Sequence, residues 1–373
     1  MQSIGKNLFE PMSKRIHIVS FDIPFPANYG GIIDVHNRIK WLHENGWKVI
    51  LHCFEYGRPR ANELEKMAEV HYYPRPKTLR HWFSKKPFIV KTRINDEISK
   101  ILATTTDEVL LEGIHCAFYL DLQPGKFWVR AHNIEQNYYA DFAKSAKGFN
   151  RLFFYSEAKK LAWYEPILKK AKGLLVAAES ELPYFQKLHP NSHLFPPFVY
   201  KETSFQTTKP YVLFHGNLSI EDNRDACIWI AENILPGLPN IDFRFAGKEP
   251  SDTLKEIVTK KGGQLIANPS NEEMNQLIAE AGVHLLWTDQ PTGVKLKFLA
   301  ALTSSGHLVC SPEMTSGSGI SDGFHVINSV QETIDLIPKL LSTPLSETEW
   351  QNRTTILKEK YGDLNLKKIF GKG

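Results

Sequence analysis

The segment Leu285 to Cys310, LLWTDQPTGVKLKFLAALTSSGHLVC, narrows the possible folds more than any other part of the chain. Leu285 and Leu286 end an apolar run that follows Gly282, and the polar turn through Asp289 and Pro291 stops it, as at the end of a strand buried on both faces. Gly293 stands at the predicted start of a helix. Val294, Phe298, Ala301 and Leu302 then recur at helical spacing, and Ser304, Ser305 and Gly306 close the segment before a strand from His307 to Cys310. Strand, glycine turn, helix and strand form a βαβ unit, whose turn lies at the carboxyl edge of a parallel sheet. Free backbone N–H groups, the positive end of a helix dipole and Lys295 would there meet an anion such as a diphosphate. The plain alternative is a punctuating glycine with Lys295 and Lys297 on a solvated face. A second domain with a site of its own is what would favour the anion.

The chain is long enough for that second domain. Its 373 residues suit two cores, and 42% hydrophobic with 23% charged residues is a globular composition. No apolar run approaches the ~18 residues of a membrane span. The start, MQSIGKNLFEPMSKR, lacks the apolar centre of a signal peptide, so a cytoplasmic location is expected, with peripheral attachment to the inner face of the plasma membrane as an addition. Cys53, Cys116, Cys227 and Cys310 are scattered without a CxxC pair and read as reduced core residues. Residues 1–200 hold 28 Lys and Arg against 20 Asp and Glu, and residues 201–373 hold 17 against 21, so the halves carry +8 and −4. A basic first half suggests an anionic surface or substrate. No recognition-helix, RRM or zinc-finger pattern accompanies it, so nucleic acid is not the expected partner.

In chain order, RIHIVSF (15–21) is a first strand. The loop PFPANYGG ends in Gly30 and Gly31, and a helix with Ile32, Val35, Ile39 and Leu42 on one face closes at Gly46 before the strand KVILHC (48–53). Paired glycines at a helix entry let a ligand approach the backbone, or simply make a flexible loop. The pattern is not GxGxxG, so a nicotinamide cofactor is disfavoured. Arg75, Lys77, Arg80, Lys85, Lys86, Lys91 and Arg93 follow with no acid among them, interleaved with Trp82, Phe83 and Phe88. Such a mixture suits an anionic membrane surface or a lipid-phosphate acceptor, or a solvated loop.

After a short helix (94–102), strands are expected at 108–112 and 126–130, the second running into RAHNIEQNYY. Arg130, His132, Asn133 and Glu135 thereby fall where a strand enters a helix, a usual place for chemistry in doubly wound folds. A long helix (149–172) carries Phe153, Phe154, Trp163 and Tyr164 among lysines. Its aromatic face reads as core before membrane contact. A strand (173–177), a helix after Ser180, and the prolines Pro196 and Pro197 complete the first half, and the prolines read as a hinge.

From Tyr211 the pattern restarts. A strand turns at Gly216 into a helix, another turns at Gly247 into a helix near 252–261, and a short strand precedes a helix whose Ser270 and Glu273 make a capping box. The segment at 285–310 follows, then a strand (324–327) and helices at 329–341 and 346–361. The expected architecture is α/β, with Rossmann-like doubly wound domains at 1–197 and 198–373, a ligand between them, and a last helix free to pack back on the first domain.

With these motifs in place, the chain resembles a GT-B glycosyltransferase of the family 4 type, which transfers sugars from nucleotide donors with retention. The resemblance covers nearly the whole chain. It rests on ANYGG with the helix ending ENGWKV, on RAHNIE, on FHGNLSIEDN with FRFAGKEP, and above all on TGVKLKFLAALTSSGHLVC. It implies two facing Rossmann-like domains across a cleft. Gly30 and Gly31 would lie near donor phosphates and acceptor, and His132 beside the transferred sugar as the catalytic histidine, with Asn133 and Glu135 on the substrate. Gly216 and Asn217 would face the diphosphate, and Lys295 with the amides of Gly293 and Val294 would bind it. Leu265 and Ile266 would hold the base through backbone groups. Such enzymes use helix dipoles and cationic side chains, so no metal or other cofactor is expected, and the chain has no DxD motif.

Two departures stand out. The family usually carries two glutamates eight positions apart, where this chain has Thr292 and Ala300. The Arg and Lys usual after the strand ending at His215 are also missing, with Arg224 as a substitute. The expected function is sugar transfer from a nucleotide-diphosphate donor to a glycan or lipid-linked acceptor in cell-envelope polysaccharide synthesis. The alternatives are a catalytically silent nucleotide-sugar or glycan binder, for which Thr292 and Ala300 argue, and a nucleotide-sugar epimerase, for which Glu135 and Glu313 are the few candidate carboxylates.

Overall fold

The computed structural model describes residues 14–27, 30–76, 78, 81–198, 203–290 and 293–371. The chain divides into two compact units, Met1–Ala177 with Glu181–Phe195, and Ala178–Ser180 with Pro196–Gly373.

The first unit is built on a seven-stranded sheet of β1 (Arg15–Ser20), β2 (Lys48–Glu55), β3 (Glu69–Pro74), β4 (Glu108–Glu112), β5 (Trp128–Ala131), β6 (Gly173–Val176) and β7 (Ser192–Leu194). Its order is β3-β2-β1-β4-β5-β6-β7, with every neighbouring pair parallel. β1, β2, β4 and β6 are buried along nearly their whole length, because helices cover both faces. The order reverses between β1 and β4, so their carboxyl ends part and leave a crevice for ligands. The helix Gly30–Glu44 returns from β1 to β2. Ile32, Val35, Ile39 and Leu42 are buried, as their spacing predicts, but so are Asp34 and Arg38.

The second unit repeats the plan with six strands, β8 (Lys209–Asn217), β9 (Asp242–Lys248), β10 (Gln264–Ala267), β11 (Ala281–Leu286), β12 (His307–Cys310) and β13 (His325–Val326). The order is β10-β9-β8-β11-β12-β13, all parallel, with its switch point between β8 and β11. A large core of aromatic and aliphatic side chains includes Phe214, Phe245, Phe298 and Tyr361, and a smaller cluster holds Tyr211, Leu213, Ala246 and Ala281. The predicted capping box at Ser270 and Glu273 is present, and another at Ser346 and Glu349 starts the helix Glu347–Tyr361. The final helix, Leu364–Phe370, belongs to this unit. All four cysteines are buried and free. No helix among the described residues is long and apolar enough to cross a membrane.

The structure corrects several expectations. β3 and β7 were not anticipated: both are edge strands, β3 is mostly half-buried and has no continuous apolar run, β7 is short, and Pro74 and Pro190 with Pro196 blur their limits. The predicted long helix (149–172) is an α-helix, Gly148–Tyr164, followed by a 3-10 turn Glu165–Lys170, since Pro166 breaks the hydrogen-bond ladder. The helix expected from Gly293 begins at Leu296, because Gly293 has φ 72°, outside the helical region, and Lys295 is extended.

Three histidines stack across β1 to β3. His17 and His52 share a hydrogen bond (Nδ1 to Nε2, 3.0 Å), the other nitrogen of His52 meets the Tyr73 hydroxyl at 3.1 Å, and His71 stacks on His52 at 5.4 Å. Burial, with the charges of His17 and His71 adding to it, lowers the His52 pKa to about 3. The unfolded chain therefore binds a proton at this residue below pH ~6.5 that the fold refuses, so stability is full above that pH and is lost as pH falls toward 3. Unfolding in urea at pH 7.5 and 5.5 is expected to show a loss of about 1.5 kcal/mol from this residue, which His52→Gln removes.

Candidate functional site

In the second unit the site is the carboxyl edge at the β8/β11 switch point. Gly216 and Asn217 end β8, paired in register with Gly247 and Lys248 of β9, and Gly247 pairs in turn with Ala267 of β10. The strands approach so closely that a Cβ on Gly247 would sit 2.0 Å from the Gly216 carbonyl oxygen, a position only glycine fills. The Asn217 side-chain oxygen accepts from the amide and hydroxyl of Ser219 (3.0 and 2.7 Å), turning the chain into the helix Glu221–Asn233. Its carbonyl accepts from the Asn223 amide at 2.9 Å, and Asn223 in turn accepts from the Lys297 ammonium at 2.7 Å.

The loop after β11 comes to the same edge. Ser311 fixes it to β12, accepting from the Thr288 amide at 3.2 Å and donating to the Thr288 carbonyl at 2.8 Å. Trp287 stacks on Trp229 of the 221–233 helix, 4.0 Å between rings. The chain then reaches Gly293, Val294 and Lys295, whose ammonium donates to the Gly293 carbonyl at 3.1 Å. The helix Leu296–Thr303 starts with no side-chain cap and no acid in its first turn, so its positive end is left for an anion from elsewhere.

Lys297, for which the plain alternative was a solvated face, is half-buried, with its ammonium 5.0 Å from the centre of the Phe214 ring. Burial lowers the pKa of Lys295 and of Lys297 to about 8, and for Lys297 the charge of Lys295 lowers it further; the acids Asp222 for both and Glu313 for Lys295 offset part of this. Among the described residues Lys297 has no carboxylate at ion-pair distance. Arg224, the expected substitute for a missing basic pair, lies near Glu221 and Asp225 (3.9 and 3.5 Å) on its own helix. Leu265 and Ile266 lie on β10, the edge strand. At the ends of β9 and β10, Glu249 and Asn268 are, among the described residues, the two non-glycine residues with positive φ, 53° and 52°, and the Asn268 side chain accepts from the Glu249 amide at 2.8 Å. Ala300 lies in the 296–303 helix; Thr292 falls outside the described residues.

In the first unit the corresponding edge holds His132, just after β5. Its Nε2 meets Glu112 Oε2 at 2.9 Å and its ring lies edge-on to Phe21 at 5.5 Å. The other oxygen of Glu112 takes Arg38, Arg38 donates to Asp34 at 2.5 Å, and Arg130 donates to Asp34 at 2.9 Å and to the carbonyls of Leu175 (3.1 Å) and Phe195. Burial opposes a charged Asp34, yet the guanidinium groups of Arg130 and Arg38 override it and hold the carboxyl at about 2. Arg130, read from the sequence as a site residue, is thus fully buried structure. Gly30 and Gly31 form the first turn of the 30–44 helix and do not precede it, which leaves their amides among those without an intrahelical acceptor.

The segment that follows His132 meets two carboxylates. Glu135 is buried, its pKa raised to about 7 by burial against the opposing hydrogen bond from Asn133, and Glu181 raises it further. Glu181 accepts from the Ile134 amide at 3.2 Å; burial raises it to about 7 as well, and its second oxygen is buried without a hydrogen-bond partner. Sequence reasoning missed Glu181, Glu112, Asp34, Arg38 and Asn223. The one local signal was Asp34 and Arg38, a charged i,i+4 pair on an apolar helix face.

No protein-family model matches the chain. It is 26% identical over 344 residues, 86% of its length, to an uncharacterized 44.6 kDa protein in the cps region of Klebsiella pneumoniae, of which 88% is covered. Among solved structures it is similar to WaaG, a glycosyltransferase involved in lipopolysaccharide biosynthesis (TM-score 0.66, 15% identity, 96% of this chain and 100% of that one). It is also similar to TarM (0.64, 12%, 97% and 99%) and to Anabaena HepE in complex with UDP and glucose (0.61, 11%, 96% and 98%). The fold is that of the GT-B glycosyltransferases.

A lysine whose pKa is depressed costs stability while it is charged: the unfolded chain holds its proton up to about pH 10.5, whereas the folded chain gives it up near 8. In the absence of anions Lys297→Met is expected to stabilise the protein at pH 7 by about 2 kcal/mol and to flatten the rise in stability from pH 7 to 9, as measured by urea unfolding.

Proposed function

We propose that this chain is a glycosyltransferase that moves a sugar from a nucleotide-diphosphate donor to a glycan or lipid-linked acceptor in cell-envelope polysaccharide synthesis, with retention. The observation that carries it is the pair Lys295 and Lys297 beside an uncapped helix start at the β8/β11 switch point, two cations in low-dielectric surroundings. A diphosphate supplies the charge that this edge lacks and accepts from the first-turn amides. In this reading Gly216, Asn217, Gly293, Val294 and Lys295 line the diphosphate, and Gly247 lets the ends of β8 and β9 come together beneath it. Leu265 and Ile266 serve the base through the backbone of their edge strand.

Transfer breaks the bond between the anomeric carbon and the diphosphate oxygen and forms one to the acceptor oxygen. The acceptor proton leaves with the departing diphosphate. Negative charge grows on that diphosphate in the transition state, so the lysines and the helix end stabilise the transition state more than the ground state. His132, oriented by Glu112, contacts the transferred sugar; Gly30, Gly31, Asn133 and Glu135 serve the substrates of the first unit. The cationic edge takes the part that a metal ion plays elsewhere. The reading places the enzyme in the cytoplasm at the inner face of the plasma membrane, where a lipid-linked acceptor is found. The cps-region relative supports the polysaccharide setting.

The second reading, a silent binder, draws on Ala300, where the resemblance calls for an acid. Slow hydrolysis of a bound nucleotide sugar separates it from a transferase. A thermal-shift series over nucleoside diphosphates is expected to find at least one that raises Tm, with the shift following the logarithm of concentration. Lys295→Ala is expected to weaken that ligand roughly 30-fold, about 2 kcal/mol. No shift with any nucleotide, or unchanged affinity in the variant, overturns the donor site.

A further inference from the structure

The helix Gly148–Tyr164 turns one face to the core, through Ala158, Leu161 and Tyr164. Its other face is apolar as well, and uncovered. Phe149, Leu152, Tyr155 and Trp163 are 60, 65, 55 and 66% exposed, and with Lys159 they fall within about 120° of the helix surface. Phe83, 83% exposed, extends this face from another part of the chain. It adjoins Trp82 (5.7 Å between rings), which packs on Phe149 at 4.6 Å and donates to Ser156, while Lys160 donates to the Trp82 carbonyl at 2.6 Å. Five large exposed apolar side chains on one continuous surface are more than chance scatter leaves on a soluble protein.

The exposed charges of the 148–164 helix have one sign. Lys85, Lys147, Arg151 and Lys159 are exposed, and Lys144 is exposed but paired with Asp141 at 2.7 Å. The acid of the 148–164 helix, Glu157, is buried and accepts from the Phe88 amide at 2.5 Å and from Lys160 at 2.7 Å. Lys159 also lies over the Tyr155 ring at 4.4 Å. Of the basic stretch read at 75–93, Lys77 and Arg80 lie outside the described residues.

We propose that this surface docks the first unit on an anionic lipid bilayer, with Phe83, Phe149, Leu152 and Trp163 inserted at the headgroup boundary and the lysines and Arg151 against lipid phosphates. Apolar side chains ringed by cations are the pattern of an interfacial helix, and neither contribution alone gives firm attachment. A second copy of the chain on the same face would set Arg151 and Lys159 against like charges, whereas anionic headgroups neutralise them. The inference deepens the functional reading by naming the surface through which a lipid-linked acceptor would be met. It rests on that reading only for the presence of a membrane at the place of work.

The test is flotation of the full chain with vesicles of phosphatidylcholine alone or mixed with phosphatidylglycerol. Binding is expected to the mixed vesicles, to fall with added salt, and to fall roughly tenfold in the combined variant Phe83→Ser, Leu152→Ser and Trp163→Ser. Because these residues are exposed, the variant is expected to keep its Tm and its nucleotide-dependent Tm shift. No binding to mixed vesicles, equal binding by the variant, or a concentration-dependent dimer that the variant abolishes while vesicles stay bare overturns the proposal. Vesicle binding without any nucleotide shift leaves this surface standing and removes the donor site, and the opposite pair of results does the reverse.

Discussion

The first unit depends on a closed set of buried charges. Asp34, Arg38, Glu112 and Arg130 sum to zero and are all nearly inaccessible to water, and each is bonded to at least one other. Any of them alone would be costly to bury, and removing one would strand its partner, at a cost of about 3 to 5 kcal/mol. Together they tie the 30–44 helix to the ends of β4 and β5, and Arg130 carries the tie to carbonyls at β6 and after β7. Glu112 spends one oxygen inside this set and the other on His132. The histidine is thus oriented by the same interaction that fixes the strand ends.

The second unit treats charge in the opposite way. Its buried Arg353 is met by backbone carbonyls, and at the carboxyl edge Lys297 rests on an aromatic ring and an amide with no carboxylate at ion-pair distance among the described residues. Asn223 joins this lysine to the end of β8, across the switch point. The pair of left-handed residues, Glu249 and Asn268, braces the neighbouring strand ends in one backbone shape.

Much of this architecture was legible because it is written in local periodicity. The helical spacing of Ile32, Val35, Ile39 and Leu42, the apolar runs of the inner strands and the capping box at Ser270 need no knowledge of what lies far away in the chain. The doubly wound plan of each half came through resemblance and the repeated glycine turns, but the order of the strands did not. What stayed hidden was long-range: Asp34 meets Arg130 across 96 positions, and Lys297 meets Asn223 across 74. A charged residue on an apolar face reads as an interruption until its partner is found. Glu181 stood at the start of a predicted helix with nothing local to show that it would be buried, and Arg130 looked available because nothing local shows a guanidinium being consumed by carbonyls. The 148–164 helix was read as having one apolar face when it has two, since the spacing of aromatics does not say which of them the core will claim.

The contrast between the two units bears on how the protein comes apart. One pairs its Asp34, Arg38, Glu112 and Arg130 with each other, and the other leaves a positive edge to be balanced from outside. Calorimetry that resolves two melting events would then find them unequal in their response to polyphosphate: the event belonging to the six-stranded sheet moves upward, while the seven-stranded sheet melts where it did before. Phosphate in a purification buffer would accordingly act as a stabiliser of half the molecule.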